Sequence, residues 1–210
     1  MDARAPLVGV LALQGGFDAH VRMLRELGAE VCEVRVPADL EDLDGLVIPG
    51  GESTTMTLGI ERERLAEPLG ELVRDGTPVL GTCAGLIMLD REHLGLMDIT
   101  ARRNAFGRQV RSFEADLDFP GLDEPVRAVF IRAPWIEEHG EGVEILAAVD
   151  GKPVAAREGN VVVVAFHPEI SGERRLHEQF LDRVRAHAAA AAGQTASSAG
   201  ALSARATSVP

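Results

Sequence analysis

The first half of the chain repeats one order: a short apolar run, a turn, then a helical stripe. Few folds accept that order. Leu7 to Leu13 is apolar on both faces, as a strand covered on two sides must be. Gln14-Gly15-Gly16 breaks the run, and Phe17, Val21, Leu24 and Leu27 then share one stripe of a helix that Gly28 stops. Strands are expected again near 30–36, 45–48 and 78–82, with helices between them. This alternation builds a mostly parallel sheet with helices on its faces, an α/β fold. From about 96 to 158 the pattern changes. Arg108 to Leu117, Val126 to Ile131, Val143 to Val149 and Pro153 to Arg157 read as strands joined by short turns, so the sheet should gain antiparallel members. A last strand over Gly159 to Phe166 precedes a helix carrying Leu176, Phe180, Leu181 and Val184, with Ser171 as its expected N-cap. One domain over 1–187 follows from this order. Residues 188–210 are mostly Ala, Ser, Gly and Thr, with Arg205 the one charge, and are expected to form a disordered tail.

Within that frame, chemistry concentrates at three strand ends. Gly81-Thr82-Cys83-Ala84-Gly85 follows the apolar Pro78-Val79-Leu80 and precedes the helix-like Leu86-Ile87-Met88-Leu89. Strand, sharp turn and helix around a cysteine form a nucleophile elbow, whose glycines give the turn room. Amides at the start of the following helix can hold a developing oxyanion. The strand ending at Phe166 runs into His167-Pro168-Glu169. On an extended segment residues i and i+2 share a face, so the imidazole and the carboxylate point the same way, a base and its orienter. Gly45-Leu46-Val47-Ile48 ends in Pro49-Gly50-Gly51-Glu52-Ser53-Thr54-Thr55. There two glycines let a backbone N–H approach a substrate, and Ser53 or Thr54 can cap the next helix, with Glu52 near its positive end.

These segments resemble the class I, triad-type glutamine amidotransferases. Ala12-Leu13-Gln14-Gly15, Arg103-Asn104-Ala105-Phe106-Gly107-Arg108-Gln109, Ser112-Phe113-Glu114-Ala115-Asp116-Leu117 and Val129-Phe130-Ile131-Arg132-Ala133-Pro134 narrow the likeness to the glutaminase subunits of pyridoxal 5′-phosphate synthase. It spans about residues 7 to 187. The resemblance implies a flavodoxin-like three-layer fold and hydrolysis of L-glutamine to L-glutamate and ammonia. Cys83 would be the nucleophile that forms a glutamyl thioester, with His167 and Glu169 completing the triad. Gly51 and Ala84 would offer N–H groups to the oxyanion. Gly51, Glu52, Ser53, Arg103, Ile131 and Arg132 would line the glutamine pocket. An arginine fork suits an α-carboxylate, and a glutamate or backbone carbonyls suit an α-ammonium. The implied partner is a βα-barrel synthase subunit in a large ring assembly, one glutaminase per barrel, receiving ammonia for vitamin B6 synthesis. The sequence departs from the family in places. Ala105 stands where relatives often carry serine, Asp90 to Leu96 is a shorter connection than in some relatives, and Trp135 is the lone tryptophan, with core, pocket-wall and partner roles all open.

Composition agrees with an enzyme of this size. A chain of 210 residues can bury a sizeable core, and a net charge of −12 argues against nucleic acid. Two cysteines and no secretory signal suggest reduced thiols in the cytoplasm, and no apolar run is long enough to span a bilayer. Cys32 shares a strand face with Val34 and Val36 and reads as core. The six histidines are scattered, without metal-ligand spacing, and no cofactor is expected. Two rivals remain at this level. A cysteine peptidase or stress protein can place a cysteine elbow on a flavodoxin-like sheet, but it would not require Arg103, Ile131, Arg132 or the His-x-Glu pair. A non-catalytic binding module would be favoured by loss of a triad member, and none is missing. Beside these two, an amidotransferase serving another acceptor is a further alternative.

Overall fold

The computed structural model describes residues 4–14, 16–103 and 112–205, with the backbone alone from residue 193. A seven-stranded sheet forms the middle layer. Its strands are β1 (Leu7–Leu11), β2 (Glu30–Val34), β3 (Gly45–Ile48), β4 (Val79–Thr82), β9 (Glu144–Val149), β10 (Lys152–Glu158) and β11 (Val161–Val164), in the order β2-β1-β3-β4-β11-β10-β9. β1 to β4 and β11 pair in parallel, whereas β10 runs antiparallel to β11 and to β9. The mostly parallel sheet with added antiparallel strands is therefore as the sequence leads one to expect.

Helices cover both faces because the central strands are apolar on both faces. Val8, Val10, Val47 and Leu80 pack with Val21 and Leu24 of α1 (Phe17–Glu26) and with Phe180, Leu181 and Val184 of α6 (Arg175–Arg205). Leu46, Ile48 and Val79 face the other way, onto Met56 and Ile60 of α2 (Ser53–Glu63), Leu69 of α3 (Ala66–Arg74) and Leu86 of α4 (Ala84–Leu89). Each such side chain, fully removed from water, contributes about 1.5–3 kcal/mol. That opposes the chain entropy lost when the strands are fixed.

The middle of the chain builds two further strand pairs. β5 (Ile99–Arg102) pairs antiparallel with β8 (Trp135–His139), and β6 (Ser112–Leu117) with β7 (Val126–Ile131). β5 and β8 are not apparent in the sequence, because Trp-Ile-Glu-Glu-His lacks sustained alternation. Of the strand expected from Arg108, the part from Ser112 onward is present. Ala105, Arg108 and the rest of 104–111 lie outside the described residues, as does Gly15. Trp135 is half-buried, with the Lys152 ammonium 5.6 Å from its ring centre.

Three local expectations change. Ser171 does not cap the last helix; it closes a short turn, α5 (Pro168–Ser171), and its hydroxyl donates to the Pro168 carbonyl at 3.2 Å. Gly172 then reverses the chain in a left-handed conformation (φ 70°), and the Glu173 carboxylate accepts the Arg175 N–H at 3.0 Å. Cys32 is only half-buried, since β2 is an edge strand, and Val36 lies past its end and is exposed. Helix α6 continues to Arg205, through much of the alanine-rich segment read above as a tail, and alanine is the strongest helix former. No helix among the described residues is long and apolar enough to cross a membrane.

Candidate active site

The ends of β3, β4 and β11 lie side by side, and each delivers one part of the site. In register Ile48 lies beside Gly81, and Val164 beside Thr82. The residues that leave those strands, Gly50-Gly51, Cys83 and His167, therefore emerge at one sheet edge, where open α/β sheets place their ligands.

Cys83 occupies a tight elbow. Its backbone has φ 49° and ψ −103°, a sparsely populated region for a residue with a Cβ, where strain is of order 1–3 kcal/mol. The surroundings hold it there: the Cys83 N–H donates to the Val164 carbonyl at 2.8 Å, and Ala84 opens α4 directly behind the sulfur. Gly85 has to be glycine, because a Cβ there would stand 2.0 Å from the Ile48 carbonyl oxygen. Helix α4 can thus press onto the backbone of β3, which brings the elbow beside the Pro49-Gly50-Gly51 turn.

His167 meets Cys83 over Gly50. A Cβ on Gly50 would lie 2.5 Å from His167 Cε1 and 3.2 Å from Cys83 Cβ, so the missing side chain is the space the two share. His167 Nδ1 lies 2.7 Å from Glu169 Oε1, and the His167 N–H donates to the Val129 carbonyl of β7 at 2.9 Å. Burial acts to lower the His167 pKa, but hydrogen bonds with Cys83 and Glu169 and their charges outweigh it and raise it to about 10. That shift favours the protonated imidazole beside Cys83. Burial would raise Glu169, yet its hydrogen bond with His167 and the nearby His20 and His167 rings bring it below the usual carboxylate range.

A cavity of about 520 Å³, open to solvent, sits over this group. It is lined by Gln14, Gly51, Glu52, Ser53, Cys83, Ala84, Ile87, Arg103, Ile131, Arg132, Pro134 and His167. Each pocket and oxyanion residue anticipated from the sequence is on that wall, and Glu169 stands behind His167. The Ile131 carbonyl lies 4.0 Å from the Cys83 sulfur.

Glu52, not Ser53 or Thr54, caps α2, accepting the Thr54 and Thr55 N–H groups at 3.0 and 2.7 Å. Those backbone hydrogen bonds lower its pKa to about 2, so the cavity rim carries a permanent negative charge.

Other contributors escaped the sequence reading. Gln14 arches over the turn, accepting the Glu52 N–H at 3.1 Å, and a Cβ on Gly51 (φ 148°) would collide with its amide. Its position just past the end of β1, at the same sheet edge, was the available signal. Arg103 is steadied from behind: the buried Asp90 carboxylate lies 2.7 Å from His93 Nδ1, and His93 Nε2 lies 3.3 Å from the Arg103 guanidinium. Local spacing hints at Asp90 and His93 only as a turn. His20, Thr82 and His177 converge behind Glu169 from three distant parts of the chain.

The comparisons with known proteins follow the same line. Residues 10–186 match the model of the SNO glutamine amidotransferase family. The pyridoxal 5′-phosphate synthase subunit PdxT of Mycobacteroides abscessus is 54% identical over 191 residues, covering 87% of this chain and 99% of that one. The protein of the same name from Rhodococcus opacus is 53% identical over 197 residues, covering 86% and 98%. A solved structure of a glutamine amidotransferase superposes with a TM-score of 0.79 at 44% identity, covering 84% of this chain and 98% of the other.

Proposed function

The chain belongs to the SNO glutamine amidotransferase family, and we propose that it hydrolyses L-glutamine to L-glutamate and ammonia on a Cys83–His167–Glu169 triad. The observation that carries this reading is the meeting of Cys83 and His167 over Gly50, with Glu169 behind, at the floor of the cavity.

The sulfur of Cys83 attacks the side-chain amide carbon, and the oxyanion takes hydrogen bonds from the Gly51 and Ala84 N–H groups. His167 passes its proton to the departing nitrogen, which leaves as ammonia, and a glutamyl thioester remains. Water, giving a proton to His167, opens the thioester and releases glutamate. Glu169 holds the imidazole in the required tautomer and balances its charge. Arg103 and Arg132 bring cations to the cavity for the α-carboxylate, and the ionised Glu52 and the Ile131 carbonyl suit the α-ammonium. In this reading the reaction needs no cofactor.

The relatives named above are subunits of pyridoxal 5′-phosphate synthase, which supports a synthase subunit as the recipient of the ammonia for vitamin B6 synthesis. We take that recipient to be a βα-barrel protein in a large ring, one glutaminase per barrel, in the cytoplasm. Leu58 and Ile170 are large apolar side chains left 60% and 55% exposed on α2 and α5, the two helices that follow the glycine turn and His167, and they suit a partner docked beside the cavity. Residues 1–187 form the catalytic domain, in agreement with the extent of the family match, and 188–210 a tail that catalysis does not need.

Ammonia release from glutamine, measured with and without the synthase subunit, tests the reading. Release should rise sharply on adding the subunit; equal rates would refute the coupling, and peptide cleavage without glutamine turnover would refute the glutaminase. A chain ending at residue 187 should keep the same rate.

A further inference from the structure

Glu169 uses one carboxylate oxygen on His167, and the other is buried with no hydrogen-bond partner. The His20 ring stands beside that second oxygen, with Nε2 3.4 Å from Glu169 Oε2. His20 is fully buried on α1, a helix remote in sequence from Cys83, His167 and Glu169. Its Nε2 also lies 3.2 Å from Thr82 Oγ1, at the end of the strand that delivers Cys83. Behind it, Nδ1 is 2.8 Å from Nε2 of His177, a second fully buried ring, on α6.

Two buried imidazoles in contact must choose their protons. If His20 carried its proton on Nδ1, a bare Nε2 lone pair would face the Glu169 carboxylate. His177 would then keep an N–H on Nδ1, an atom that is buried with no hydrogen-bond partner and has the Glu173 backbone near it. Both features are costly, since orphaned buried N–H groups are rare and like dipoles repel strongly at low dielectric. With the proton on His20 Nε2, that nitrogen lies 3.2 Å from Thr82 Oγ1 and 3.4 Å from Glu169 Oε2, His177 donates to Nδ1, and the atom left over on His177 is an acceptor. The groups that face His20 are then Glu169 and His167 on the site side, Thr82 on β4 and His177 on α6.

We propose that His20 is a positioning residue for Glu169: its Nε2–H, oriented by His177, holds the second carboxylate oxygen and so fixes the direction from which Oε1 meets His167. A carboxylate held at one oxygen can turn about its own bond and swing the imidazole with it. Held at both, it keeps the ring aimed at the sulfur. The proposal rests on the triad reading above.

The test uses the full chain with its synthase subunit. His20→Leu keeps the volume and removes the N–H, whereas His20→Gln can restore a donor near the Nε2 position. The expected result is a fall in kcat of about 10- to 100-fold for the leucine variant, with KM for glutamine within about twofold, and recovery of most of kcat in the glutamine variant. Equal loss in both variants, or no loss in folded His20→Leu, overturns the proposal. Nitrogen NMR of the histidine rings in the unaltered protein decides the matter even if a variant does not fold. A proton on His20 Nε2 supports it, and a bare Nε2 at the pH of highest activity overturns it. Cys83→Ala measured alongside separates the two claims, because glutamine turnover in that variant would sink the triad itself, whatever the His20 tautomer.

Discussion

The proposed catalytic centre and the wall of the cavity are built by different means. Cys83, His167 and the glycine turn hang from three neighbouring parallel strands whose residues are buried on both faces and laddered by backbone hydrogen bonds. Arg103, Ile131, Arg132 and Pro134 lie instead at the ends of, or just beyond, β5 and β7, members of two-stranded pairs flanked by exposed ion pairs such as Arg102–Glu137 and Arg127–Glu114. Reacting atoms tolerate little misplacement, and the proposed triad hangs where the backbone itself is over-determined. The groups expected to recognise the substrate are carried on thinner supports, where surface ion pairs add little stability. Damage to the first region should therefore appear in kcat, and damage to the second in KM.

The sharpest way to break this contrast is at the sulfur. Cys83→Ala should lower glutamine turnover by about 10⁴-fold or more while thermal unfolding and binding of the synthase subunit stay unchanged. Next come the two residues behind it: His167→Ala should approach the same loss, and Glu169→Gln should cost about 10²-fold, because Glu169 orients the base without moving the proton. Steady-state ammonia release checks both, and an equal loss would mean that Glu169 does more than orient. Gly50→Ala probes packing alone. Its Cβ would sit 2.5 Å from His167 Cε1, so kcat should fall by about 10- to 100-fold with little change in KM. Arg103→Met tests the wall, with KM for glutamine expected to rise by about 10-fold or more and kcat to move far less. A collapse of kcat in that variant would erase the distinction between the two regions.

The smallest effect concerns pH. Burial lowers the pKa of His20, and burial with the neighbouring His20 lowers that of His177 to about 3, both below the ordinary 6.5. On acidification the unfolded chain takes up these protons before the folded one does, so stability should fall as pH drops from about 6.5 toward 3. Glu169, held ionised in the fold, adds loss in the same direction. Thermal melts across that range would show it, and His20→Gln should flatten the slope.

Much of this was readable along the chain, for local reasons. A strand buried on both faces announces itself as a continuous apolar run, as in Leu46-Val47-Ile48 and Val161 to Val164, and a glycine-bounded elbow carries its own turn chemistry at Gly81 to Gly85. β5 and β8 were invisible because a short pair half open to solvent needs little apolar patterning. The Ser171 cap went astray because Gly172 reverses the chain before the helix begins. Gln14 showed only its place past the end of β1, Asp90 and His93 only a turn, and His20 and His177 gave no local sign, since the partners of each are brought to it by the fold.

By itself, the order of residues determined the α/β class, the kinds of side chain at the strand ends and the backbone freedom those ends require, because each depends on neighbours a few positions apart. Only the tertiary structure decided that β3, β4 and β11 stand next to one another, and hence that Gly50, Cys83 and His167 share one space. It also decided that two histidines from opposite ends of the chain close ranks behind Glu169. Strand order and long-range burial are set by how the whole apolar surface is best covered, a property of the assembled chain that no short stretch of it carries.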